Sequence, residues 1–201
     1  FLELLLPIDE KNYDEESVSE RITNKLYDVL LYLNVPIVYG ALLFCLYKIT
    51  QTNLSLSEII GILISLGIIL GANGINVAHE LGHRTTLFEK ILGKTLLIPS
   101  HYMHFFIEHN KGHHTHVSTP SDPSTAKYQQ SVYAFFFQTI PGTYQSAWRI
   151  MMHDLRKQGK GFWCFQNEML LFTVFQLVLL VGIYQVFGSM TCVYFILTAL
   201  I

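Results

Sequence analysis

The sequence predicts an all-α integral-membrane protein, a multi-span helical bundle with a histidine metal site on its cytoplasmic side. Three observations carry that expectation. Apolar runs of about 20 residues, enough to cross roughly 30 Å of hydrocarbon as a helix, recur along the chain. Charged residues make up only 14% of the 201 residues and the mean hydropathy is +0.35, whereas soluble domains carry about 25% charge. Eight of the nine histidines fall between His79 and His116.

Composition also excludes other classes. A net charge of −2 leaves no basic excess to neutralise phosphates, so no nucleic-acid partner is expected. Cys45, Cys164 and Cys192 stand far apart without a CxxC, which argues against a disulfide framework or a thiolate metal site. Residues 1–6 are mostly apolar, but they lack a basic leader and are cut off by Pro7 and the acids that follow, unlike a secretory signal.

The chain opens on an acidic lead-in containing Asp9, Glu10, Asp14, Glu15, Glu16 and Glu20. It starts without Met and stops inside the apolar run SMTCVYFILTALI, so it reads as an internal piece of a longer protein. Residues 29–47 form the first candidate span, with Asn34 and Pro36 as irregularities that a bundle tolerates. Residues 54–77 form the second, whose Gly61, Gly67, Gly71, Ala72 and Gly74 allow close helix approach, and it runs straight into His79. Residues 169–187 are the cleanest span, and 190–201 are the start of another.

Between the spans, 87–107 is apolar but carries Glu89, Lys90, Lys94 and Pro99, which suits a helix half sunk in the membrane or packed under the histidines. Residues 131–141 suit a short interfacial helix and 144–157 an amphipathic one. Arg84, Lys90, Lys94, Lys111, Lys127, Arg149, Arg156, Lys157 and Lys160 lie between the second and third spans, against Lys48 alone in the preceding turn. Lys and Arg accumulate on cytoplasmic segments, so the histidine face is expected there, with the acidic lead-in on the same side.

In an α-helix, residues four apart share a face, so His79 and His83 of HELGH can aim at one point. His109 and His113 of HNKGHH repeat the spacing, and His114 adds a neighbour. Two such boxes point to metal. Imidazole suits zinc, copper, iron and nickel alike. HELGH also satisfies the HExxH of zinc hydrolases, in which the Glu is the general base. That reading needs a distant acidic ligand such as Asp122, Asp154 or Glu168, and it leaves His109, His113 and His114 without a role. Five imidazoles are too many for one catalytic metal with an open position, and they are about half of what two metals need. A binuclear centre completed by ligands beyond residue 201 fits that count. A histidine-rich transport protein without catalysis is the third class; it would carry charges within its spans, and these are almost absent.

The residues also carry a family resemblance. HELGHR at 79–84, EHNKGHH at 108–114, VSTPSDPSTAK at 117–127, PGTYQSAWR at 141–149 and QNEML at 166–170 resemble, in order, the membrane alkane 1-monooxygenases. These are integral-membrane non-haem di-iron enzymes. The boxes alone also admit fatty-acid desaturases and hydroxylases; the 117–127 and 141–149 stretches single out the alkane enzymes. The resemblance implies one membrane-embedded catalytic domain over 1–201, with the family's first helices and its last histidine box, LQRHSDHH in form, absent, so the piece alone is expected to be inactive. It implies two iron ions held in part by His79, His83, His109, His113 and His114. It further implies an alkane substrate, O₂, rubredoxin with an NADH-dependent reductase as electron donor, and a bacterial inner membrane. Glu80, Glu108 and Asp122 are near enough to brace ligand histidines from behind, since buried carboxylates need such partners. His101, His104, His116 and His153 match no ligand position and are expected to be structural or to support the ligands.

Overall fold

A computed structural model describes residues 24–51 and 53–200, and among these it contains helices and turns but no strand. The acidic lead-in and the last residue of the expected fourth span lie outside the described residues. The chain divides into two units, residues 1–33 and 34–201. In the first, the Asn24 side chain accepts the Leu26 N–H at 3.0 Å and so caps the start of a helix. The histidines and their supports all belong to the second.

Three helices are long and apolar enough to cross a membrane: α1 (Lys25–Gln51), α2 (Leu56–His83) and α6 (Glu168–Thr198). Each extends an expected span by several residues at one or both ends. α2 starts where Ser55 and Glu58 cap each other reciprocally, with the Ser55 N–H donating to the Glu58 carboxylate at 2.8 Å. Val38, Leu42 and Leu46 of α1, spaced four apart, are buried, while Ile37, Leu43 and Phe44 face outward. An outward apolar face is what lipid requires. Asn34 and Asn73 meet through a 2.9 Å hydrogen bond. They are nearly equidistant in sequence from residues 53–55, which lead into α2, so α1 and α2 run antiparallel.

α3 (Leu87–Leu97) is capped by Thr86, whose hydroxyl accepts the Glu89 N–H. It packs closely against the end of α2, with Leu96 and Leu97 fully buried. The Tyr39 hydroxyl of α1 donates to the Thr95 carbonyl at 2.9 Å. Of the two expectations for 87–107, packing under the histidines therefore describes the Leu96–Leu97 end, whereas Leu87, Phe88 and Ile91 point outward. The chain then turns through 98–104 into α4 (105–116), the short helical segment of the second histidine box.

The expected pair of helices over 131–141 and 144–157 is a single helix, α5 (Val132–Lys157), with Pro141 inside it. Proline removes one backbone donor and clashes with the preceding turn, which is why it reads as a boundary. Packing overrides it. Thr143, Ala147, Met151 and Leu155 make a buried stripe at four-residue spacing after the proline, and before it Gln138 and Thr139 donate to the Pro123 carbonyl, while Tyr133, Phe136, Phe137 and Ile140 face outward.

α6 is interrupted at Gly188, whose φ of 84° and ψ of 172° are non-helical. The chain folds back there: the Cys192 thiol reaches the Leu180 carbonyl at 3.7 Å, impossible for residues twelve apart along a straight helix. The boundary expected between 187 and 190 thus falls at this residue. Gly188→Ala should destabilise the protein by about 1–3 kcal/mol, because that backbone conformation is nearly confined to glycine. An unchanged melting temperature in detergent would contradict this.

His104 ties the 98–104 turn to α5. It is buried, its Nε2 lies 3.3 Å from the Thr143 hydroxyl, and burial lowers its pKa from 6.5 to about 4. The folded state therefore resists a proton that the unfolded chain accepts. Stability is intact above pH 6.5 and falls as pH drops toward 4, by roughly 3 kcal/mol in total. His104→Gln should flatten that part of the pH-stability curve measured by thermal unfolding.

Candidate metal centre

α2 delivers His79 and His83 from its last two turns. α-Helical winding stacks residues four apart, and their Nε2 atoms lie 2.9 Å from each other, with ring centroids 4.7 Å apart. A π-helical stretch, Leu70–Ile75, interrupts α2 just before this end, so the histidine turn is not a simple continuation of the membrane span.

The second box is wound differently from the expectation. Glu108–His113 is π-helical, and the His114 N–H reaches the carbonyl of His109, five residues back. Residues five apart therefore share a face. His114, not His113, comes beneath His109, with Nε2 atoms 3.0 Å apart. His113 instead lies parallel to His109 with ring centroids 5.4 Å apart. The two boxes converge where His109 Nε2 lies 3.2 Å from His83 Nε2.

The ligand nitrogens of His79, His83, His109 and His114 all fall within 4.8 Å of one another. Neutral rings cannot satisfy this arrangement among themselves. Each Nε2 offers one lone pair or one N–H, in one direction. Yet His83 Nε2 faces both His79 and His109, and His109 Nε2 faces both His83 and His114. A cation that accepts a lone pair from every ring resolves the conflict. The contacts of 2.9–3.2 Å also match the edge of roughly 2.9–3.4 Å between ligands bound at about 2.0–2.1 Å to one metal. Burial first, then His79, His114 and His83, push the His109 pKa down to about 3, so it is a neutral donor at physiological pH. His79, His83 and His114 are exposed, and the cluster is open on that side.

His113 stands beside this cluster rather than in it. Its Nδ1 donates to Asp122 Oδ2 at 2.8 Å, and the Asp122 side chain has no solvent exposure. Such a bond fixes the tautomer, leaving Nε2 as the free lone pair. Burial alone would raise the Asp122 carboxyl, but hydrogen bonds from Thr125, the Ser124 N–H and His113 together hold it below the usual carboxylate range. Asp122 thus caps its turn and braces a histidine at once.

The other acids go elsewhere. Glu108 is buried, and one of its carboxylate oxygens has no hydrogen-bond partner among the described residues; burial, then the Asp122 charge, raises its pKa. Glu80 turns outward to Arg84 at 3.1 Å rather than toward a histidine ring. Asp154 pairs with Lys111 and Glu168 with Lys94, each at 2.6 Å. None of the three acids expected to complete a zinc-hydrolase site joins the histidine cluster. His101 packs on Phe195, His104 braces α5, and His116 and His153 are exposed; all four lie outside the cluster. Ser124 and Thr125, which secure Asp122, and Lys111, which holds Asp154, gave no signal of their own in the sequence.

Comparison with known proteins agrees with this geometry. A family profile described as fatty acid desaturase matches residues 56–201. Alkane 1-monooxygenase 1 of Alcanivorax borkumensis is 35% identical over 193 residues, covering 96% of this chain and 48% of its own length. An alkane 1-monooxygenase of Pseudomonas putida is 37% identical over 193 residues with the same coverage. Alkane 1-monooxygenase 1 of Pseudomonas aeruginosa is 37% identical over 198 residues, covering 97% of this chain and 52% of its own. The chain spans about half the length of the curated relatives it matches. With helices and no strand among its described residues, and with imidazoles from two boxes drawn to one point at the end of an apolar helix, the chain belongs to the fatty acid desaturase family, and its similarity within that family runs to the alkane 1-monooxygenases.

Proposed function

We propose that the protein to which this chain belongs hydroxylates the terminal carbon of alkanes at a non-haem di-iron centre. The convergence of His79, His83, His109 and His114 carries the reading, with His113 as the fifth ligand, oriented by Asp122. Iron held there supplies the O₂ activation that imidazole and carboxylate side chains cannot provide. Overall, one oxygen atom enters a terminal C–H bond and the other leaves as water, consuming two electrons and two protons.

The chain's own residues contribute position and exclusion. Neutral histidines present lone pairs without a competing proton, and Asp122 holds His113 at a set angle. An alkane offers no polar group, so recognition rests on apolar burial worth about 0.8 kcal/mol per CH₂. α2 and α6 offer such surface, and α2 leads directly to the histidines. Electrons come from rubredoxin and its NADH-dependent reductase, and a small acidic carrier suits Lys90, Lys111 and the other basic residues near this face. The histidine face is cytoplasmic in a bacterial inner membrane, following the distribution of Lys and Arg.

A fatty-acyl desaturase is the second reading, supported by the description of the family profile. Both would draw on the same metal-dependent O₂ activation and differ in substrate and outcome, insertion of one oxygen atom against removal of two hydrogens with both oxygen atoms leaving as water. The full-length protein, given octane, rubredoxin, its reductase and NADH, should form 1-octanol and contain about two irons by elemental analysis; unsaturated acyl product without alcohol would favour the desaturase. His79→Ala or His109→Ala should lose both bound iron and turnover, and retained hydroxylation would defeat the ligand assignment. Glu80→Gln should change turnover by less than about fivefold, the scale of an exposed ion pair. A loss on the order of 100-fold or more would point to the general base of a zinc hydrolase.

A further inference from the structure

We propose that the 117–127 loop and the Gln138–Gly142 stretch of α5 form a clasp that holds Asp122 on His113, making Gln138, Thr139 and Gly142 positioning residues of the metal centre. The inference rests on the reading of His113 as a metal ligand. It concerns the two stretches whose sequences are most distinctive and which contribute no histidine.

The contacts are specific. The Gln138 amide nitrogen donates to the carbonyls of Pro123 at 3.0 Å and Thr125 at 3.1 Å. The Thr139 hydroxyl donates to the same Pro123 carbonyl at 3.0 Å. Gln130 donates to the Gln138 side-chain oxygen at 3.1 Å, so that amide is engaged at both ends. A Cβ added at Gly142 would lie 2.6 Å from Pro123 Cβ, closer than real Cβ atoms approach. Glycine directly after proline is locally unfavourable in a helix, and this close approach supplies its tertiary reason. Within the loop, the Ser118 N–H reaches Thr125 at 3.0 Å and closes it on itself.

Asp122 sits between these anchors. It is adjacent to Pro123, and Thr125 both takes part in the clasp and donates to the Asp122 carboxylate. Its bond to His113 is 2.8 Å. A displacement of about 1 Å would carry that bond past hydrogen-bonding distance. Moving Pro123 by the amount that a side chain at Gly142 demands is such a displacement. α5 therefore acts on the centre through a loop, besides packing directly on the Glu108–His113 segment.

The test uses the full-length protein loaded with iron and follows iron release to a chelator, with elemental analysis and the melting temperature of the metal-free form. Asp122→Asn should speed release by about 10- to 100-fold, the usual effect of losing a partner behind a ligand. Gln138→Leu and Gly142→Val should speed it by about 3- to 10-fold, a fraction of that range. If Gly142→Val does not fold, Gly142→Ala and Gln138→Leu carry the test. The double variant Gln138→Leu with Asp122→Asn should release iron no faster than Asp122→Asn alone, because the two act in series. Wild-type release from Gln138→Leu, or additive effects in the double variant, would overturn the clasp while leaving the ligand assignment standing. Normal iron content in His113→Ala would instead remove the ligand assignment, and the clasp with it.

Discussion

Four imidazole nitrogens crowded to within 4.8 Å are the constraint on which the rest of this structure depends. No pattern of protonation among neutral rings satisfies them all, and protonating any of them adds charge to a crowd of like groups. The fold nevertheless brings them together from two segments some 26 residues apart, with α3 packed beneath and α5 behind. Elements that give no histidine to the cluster make sense as the scaffold for that convergence.

The π-helical turn at Glu108–His113 is the local device that makes it possible. An α-helix would pair His109 with His113 and aim His114 elsewhere. Five-residue winding pairs His109 with His114 and frees His113 to meet Asp122. One box thus supplies rings in two environments, one set against α2 and another against the 117–127 loop. A second π-helical stretch lies just before the first box. Such turns cluster at functional sites because they re-aim side chains without ending the helix.

What the sequence made legible follows from the range of the interactions involved. His79 and His83 sit on an ordinary α-helix, so their spacing alone placed them. Apolar runs located the three long helices, because hydrocarbon length acts on contiguous residues. The pairing within 109–114 was not legible, since π winding leaves no mark in the spacing that α-helical reasoning uses. Pro141 looked like a boundary because its local cost is visible and the tertiary contacts that hold the helix on either side of it are not. Asp122 could be singled out as an acid beside a turn, whereas Gln138 could not: an amide on an apolar helix says nothing of a carbonyl fifteen residues earlier.

The bond between Asn34 and Asn73 lies within the apolar stretch of both helices. Sliding α1 along α2 by one residue would break that bond inside an apolar stretch, where lipid offers no replacement partner. The pair therefore works as a depth gauge. His79 lies six residues beyond Asn73, about 9 Å along the helix axis, so the first histidine box is held in register from inside the apolar stretch rather than by the segments around it.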